Sequence, residues 1–169
     1  MDKQSLFFTC LVAIVSTLLM LMSLQFLAKK LNIKSEEQEK IKISYTIWYV
    51  SILISYFLFL KVALELIENS IEIIINSKTI EYTFLTSMQK ITIFIGFTFF
   101  FTFISYFIAE KILQLSFGKR LDSIEIEKEN IGYYLLKGFL LILFTFSLIT
   151  IFEHFLKWFI PTVDTPFYH

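Results

Sequence analysis

Three groups of side chains in this sequence have residue types and spacings that can do chemistry. Glu65, Glu68 and Glu72 stand three and four residues apart, so on a helix they share one face. Such a row of carboxylates gathers cations at a vestibule; it is equally the wet side of a helix leaving a membrane. Glu153, His154 and Lys157 bring an acid, an imidazole and an ammonium together within about one turn. An ionisable cluster at a membrane boundary can relay protons, and it can also be a polar collar at a helix end. The third group is a pair of stripes of small residues. Thr9, Ser16 and Ser23 run with Ala13, and Thr98, Thr102 and Ser105 run with Ala109, at spacings of three, four and seven. Small residues in a row let another helix come close; their hydroxyls, if they faced one another, would line a polar path.

Other chemistries leave no trace. No phosphate loop, dinucleotide fingerprint or zinc spacing occurs, and neither His154 nor His169 has a second ligand at metal spacing. No Ser/His/Asp or Cys/His set has a reason to converge. The expectation is a protein that is not an enzyme and holds no cofactor or metal. Lysines plus arginines equal aspartates plus glutamates, 15 each, so no basic excess argues for nucleic acid. Cys10 is the one cysteine; it can form no internal disulfide and reads as a packing residue.

The elements that must position these groups are apolar segments. The chain has 169 residues, 56% hydrophobic and only 18% charged, with 21 Phe, where a soluble domain carries about a quarter charged. Residues 91–109 contain no charge, and twelve of the nineteen are Ile or Phe. At roughly −0.3 to −0.6 kcal/mol each, these contribute about −4 to −7 kcal/mol to insertion. Nineteen helical residues span about the thickness of the hydrocarbon. Residues 6–28, 43–63 and 133–160 read as three further spans. The apolar run of the first is too long for a signal peptide and lacks a small-residue cleavage pattern. Tyr45, Trp48 and Tyr49 open the second at headgroup level. The fourth has an uncharged core of fifteen residues, 138–152, so Lys137 and Lys157 are expected to snorkel from its two ends. No acidic residue lies deep in any span, which disfavours a proton-coupled exporter.

Between the spans run charged connectors. In residues 29–42, Ser35 followed by Gln38 fits an N-cap, predicting that the second helix begins ahead of the membrane. That helix is expected to continue through Glu65, Glu68 and Glu72. Residues 76–90 and 110–132 are the other connectors, with a helix end expected at Phe117-Gly118. Pro161 is expected to stop the last helix and start an extended tail.

The chain also echoes itself. Residues 25–31 (QFLAKKL) match 106–112 (YFIAEKI), and 39–45 (EKIKISY) match 127–133 (EKENIGY). The expected architecture is all-α: one transmembrane domain over residues 1–169, made of two tandem transmembrane hairpins, 6–67 and 91–160. Asn130 opening the fourth span after an acidic connector, with Gly132 and Gly138 following, resembles a bacterial inner-membrane family of unknown function, number 350. In the first unit Lys42 stands in place of that Asn and Ser44 in place of Gly132, and Tyr133 to Leu136 replace the family's Ala-rich helix start. The resemblance implies a duplicated two-helix membrane protein, in the inner membrane of a bacterium, and assigns no activity.

Orientation follows from the basic residues. Residues 29–42 carry five lysines, and Lys111, Lys119, Arg120, Lys128 and Lys137 lie in or beside the last connector; the opposite side has five in all. Basic residues stay in the cytoplasm, so both termini are expected outside. The functional expectation is a small membrane subunit that self-associates or binds a larger membrane protein. A channel or transport component, and an effector that damages its own membrane under stress, are the alternatives.

Overall fold

The computed structural model of the protein describes residues 3–37, 40–76 and 83–160. Four long helices carry it: α1 (Lys3–Lys30), α2 (Ile43–Asn76), α3 (Thr83–Phe117) and α5 (Ile131–Lys157), with a short α4 (Asp122–Glu127) in the last connector. Each of the four is long and apolar enough to cross a membrane. The protein is an all-α, four-helix membrane protein. At 1.5 Å per residue α2 and α3 are about 50 Å long, so both project beyond a hydrocarbon layer of about 30 Å.

The helix ends follow local chemistry. Asn32 takes a left-handed conformation (φ 54°) after α1. The amide of Ile33 donates to the Ala28 carbonyl at 3.0 Å and that of Asn32 to Lys29 at 3.1 Å, a Schellman closure. The expected early start of α2 at Ser35 is corrected. Strands β1 (Glu36–Glu37) and β2 (Lys40–Ile41) pair antiparallel there, and the Lys42 amide donates to the Ser35 carbonyl, so α2 begins only at Ile43. At the far end of α3, Gly118 (φ 75°) breaks the helix where the sequence places the break. Asn130 caps α5: its Oδ1 accepts from the Tyr133 amide at 3.3 Å and its Nδ2 donates to Glu125 at 2.6 Å. The expected tail after Pro161 lies outside the described residues.

In chain order the helices make two hairpins, but the packing does not follow that pairing. α2 is the axis, with α5 and α3 packed along it and α1 laid against one side. Half of α2's most apolar window is buried, against 17% of α1's; α1 is therefore the edge helix. Helices in lipid gain nothing from hydrophobic transfer, so close packing and polar contacts must hold them. The α2–α5 seam shows both. A Cβ added at Gly138 would stand 3.1 Å from Ser51 Cβ, so a larger residue there would push the two helices apart by a few tenths of an ångström unless Ser51 gave way. Two turns further along, Thr145 Oγ1 donates to its own helix at Leu141 and lies 2.6 Å from Ser55 Oγ across the seam. At the end of the bundle away from the α1–α2 and α3–α5 connectors, Phe152 meets Phe59 (4.9 Å between centroids) and Phe101 (5.0 Å), tying α2, α3 and α5 together.

Candidate functional site

At the connector end of the bundle the structure assembles a charged site inside the protein. Lys137 lies six residues into α5, about 9 Å along its axis, and its side chain is only 4% exposed. The expectation that it snorkels to water is corrected: it turns inward. Its Nζ donates to both oxygens of Asp122, at 2.8 and 2.9 Å, and to the Tyr106 hydroxyl at 3.2 Å. Asp122 is the first residue of α4 and is itself 8% exposed. An ammonium this far from water demands a counter-charge, because an unpaired buried charge is among the most costly groups in a fold. The connector supplies it by folding α4 across the helix ends.

Aromatic side chains complete the site. Tyr106 on α3 donates its hydroxyl proton to Asp122 Oδ2 and accepts from the Trp48 indole N–H of α2 at 3.1 Å. Tyr134 on α5 donates to Asp122 Oδ1 at 2.9 Å. The Lys137 ammonium also lies 4.6 Å from the Tyr106 ring centre, a cation–π distance. Glu110, one turn beyond Tyr106 and 24% exposed, stands 3.9 Å from Lys137 and accepts from the Gln114 side-chain amide at 3.0 Å. Four elements, α2 to α5, thus meet at one ion pair. Among the described residues, none of the site's buried side-chain nitrogens or oxygens lacks a hydrogen-bond partner. With every polar atom engaged, the arrangement is built to clasp the connector onto the bundle.

Around it lie weaker straps. Lys34 reaches Glu127 at 2.9 Å, and Lys42 Nζ donates to the Glu127 carbonyl, joining the first connector to α4. The hydrogen-bonded Lys34 ammonium lowers the Glu127 carboxyl below its ordinary range. This contact therefore contributes above that range and is lost as pH falls through the lowered value; both partners are exposed, so its weight is small. Arg120 pairs with Glu125 at 3.3 Å and lies over the Tyr133 ring.

The residues singled out in the sequence sit elsewhere. Thr98, Thr102 and Ser105 are fully buried in the α3 seam, and each hydroxyl donates to a carbonyl of its own helix. Ser16 is buried on α1 and bonds to Ala13; Ser23 bonds to Leu19; Thr9 lies near the start of the same helix. The two stripes belong to helices that barely touch, and the structure does not bring their six hydroxyls together. Glu65 and Glu72 are exposed and Glu68 half-buried along the outer part of α2, whose opposite side is buried at Ala63, Ile67, Ile71 and Ile74. Glu65 lies 4.0 Å from Lys61. Glu153 and Lys157 form an ion pair at 2.7 Å, with His154 exposed beside them.

Sequence reasoning missed the clasp, although one signal was present. Lys137 is an ionisable residue inside an apolar run, and such a residue calls for a named partner. Which acid among Glu110, Asp122, Glu125, Glu127 and Glu129 answers it depends on how the connector folds.

Comparison with models of protein families, with characterised proteins and with solved structures gives no match. The fold and the site define a class: a four-helix membrane protein whose helices are locked, at one end, by a buried lysine–aspartate pair.

Proposed function

We propose that the protein is a small, non-enzymatic membrane subunit that works by lateral association, with its own copies or with a larger membrane protein. One observation carries this reading: α1 is held along one side only and turns Cys10, Ile14 and Leu18 outward as one exposed stripe. Spacings of four keep these three side chains on one face. Polar groups of the other helices engage each other at Ser55–Thr145 and Trp48–Tyr106–Asp122–Lys137, and the α3 hydroxyls bond to their own helix, which supports a packing role over a conducting one.

The native cysteine supplies the test. Oxidation of membranes holding the protein is expected to give a disulfide-linked dimer through Cys10, or through single cysteines at position 14 or 18 in a Cys10→Ser background. Monomer alone at all three positions, with only monomer and no co-purifying polypeptide in native mass spectrometry, would sink the proposal.

The membrane orientation is part of the same reading. Both termini lie outside the cytoplasm, supported by the clustering of Lys and Arg in the two connectors at the clasped end. A phosphatase fused to the C-terminus, active only outside the cytoplasm, is expected to be active. A fluorescent fusion that lights only in the cytoplasm is expected to stay dark, and the reverse pattern inverts the topology.

A further inference from the structure

The face of α1 turned away from Cys10 borders a groove. Between α1 and α3 runs a cavity of about 680 Å³, lined on one side by Leu11, Val15 and Leu19 and on the other by Ile91, Ile95 and Phe99. The hydroxyls at its edge, Ser16 and Thr92, donate to carbonyls of their own helices, so the lining offers methyl and methylene groups and no free polar atom. A Cβ built on Gly96 meets nothing within 4 Å; the groove is open at that point.

Size decides what fits. The groove spans Phe8 to Leu19 on α1 and Phe84 to Phe99 on α3, a length of about 16–22 Å at the helical rise. Spread over that length, its volume leaves a cross-section of roughly 30–40 Å². A helix with side chains is about 10–12 Å across and needs about 80–110 Å², so the helix of a second copy can rest across the open side of the groove but does not fit within it. A methylene chain, packed about 4–5 Å from its neighbours, needs about 20 Å². The groove therefore has room for about two such chains side by side. Its length also matches the depth of one leaflet, about 15 Å of hydrocarbon, with a margin toward the headgroups. There it joins a smaller cavity of about 220 Å³, lined by Phe8, Phe84, Met88 and Ile91 together with Ile71 and Ser87.

We infer that this groove is a binding site for the paired acyl chains of one diacyl phospholipid, drawn from the leaflet on the side of the α2–α3 turn. The lipid fills the space between α1 and α3, where the two helices make few direct contacts, and so completes the bundle. The two proposals are tested separately, by the bound lipid mass and by the Cys10 cross-link: Cys10 lies on the other side of α1, while Ile14 and Leu18 adjoin the groove's rim, three and seven residues from Leu11.

Gly96→Leu fills the groove without a clash at Cβ and replaces a poor helix former with a good one, so the variant is expected to fold. Val15→Phe fills it from α1. Protein expressed in membranes of phosphatidylethanolamine and phosphatidylglycerol, extracted in a mild maltoside and exchanged over a column, is weighed by native mass spectrometry. The expected result is one phospholipid mass per wild-type chain, with occupancy falling on the order of tenfold in either variant, the effect of about 1.4 kcal/mol of lost affinity. Helical content by circular dichroism is expected to stay unchanged in both. Wild-type protein free of lipid overturns the inference, as do variants that keep the lipid. A dimer that Gly96→Leu dissolves, with no lipid mass, overturns it in favour of a second copy in the groove.

Discussion

Lys137→Met is expected to free α4 from the bundle while the four long helices stay packed. The substitution keeps the side chain's length and removes its charge. Asp122 then sits 8% exposed with two tyrosine donors and no cation. Breaking a buried pair in this way costs about 3–5 kcal/mol. The protein can avoid that cost, because α4 lies in a connector and can swing Asp122 out to water. Amide exchange in residues 122–130 is therefore expected to speed up by between about two and four powers of ten. Exchange in the middle of α2 should hardly change. The double variant Lys137→Met/Asp122→Leu removes both charges and is expected to recover most of the protection, since an apolar pair can replace a buried ion pair at little cost. Unchanged exchange over residues 122–130 in Lys137→Met would show that the ion pair does not hold the connector.

The second large effect lies at the other end of the bundle. Phe152→Ala empties the point where α2, α3 and α5 meet. In a soluble protein such a change costs about 3–5 kcal/mol, as a transfer part and a cavity part together. Here the transfer part falls away, because a separated α5 would keep the ring in lipid. The lost contacts with Phe59 and Phe101 and the cavity remain, for about 2–3 kcal/mol. Phe146→Ala on the same helix is the control: Phe146 is exposed on the lipid side and its loss should be close to neutral. Unfolding of the two variants in detergent mixtures of rising denaturing strength separates them. Equal stabilities would mean that the aromatic contact carries no net packing energy.

Both effects come from contacts between segments distant in sequence. What lies along single segments was legible from the residues alone. Residues 91–109 form a span because nineteen uncharged, mostly Ile and Phe residues suit hydrocarbon wherever their neighbours lie. Gly118 marks a helix end through its own backbone chemistry, and the structure places that break as read; the cap at Asn130, which entered only with the family resemblance, is shown by its bond from the Tyr133 amide. Ser35 misled because its cap signal competes with an extended pairing, Glu36 with Ile41 and Glu37 with Lys40, that one strand alone does not reveal.

The sequence by itself thus determined the medium and the number of crossings, since apolar length is a local property that lipid selects directly. Only the tertiary structure decided which helix is the axis, that α1 stands at the edge beside a groove, and that Lys137 turns inward to Asp122. Those outcomes rest on which surfaces meet. A lysine near a helix end is indifferent between water and a buried acid until another segment brings that acid within about 3 Å.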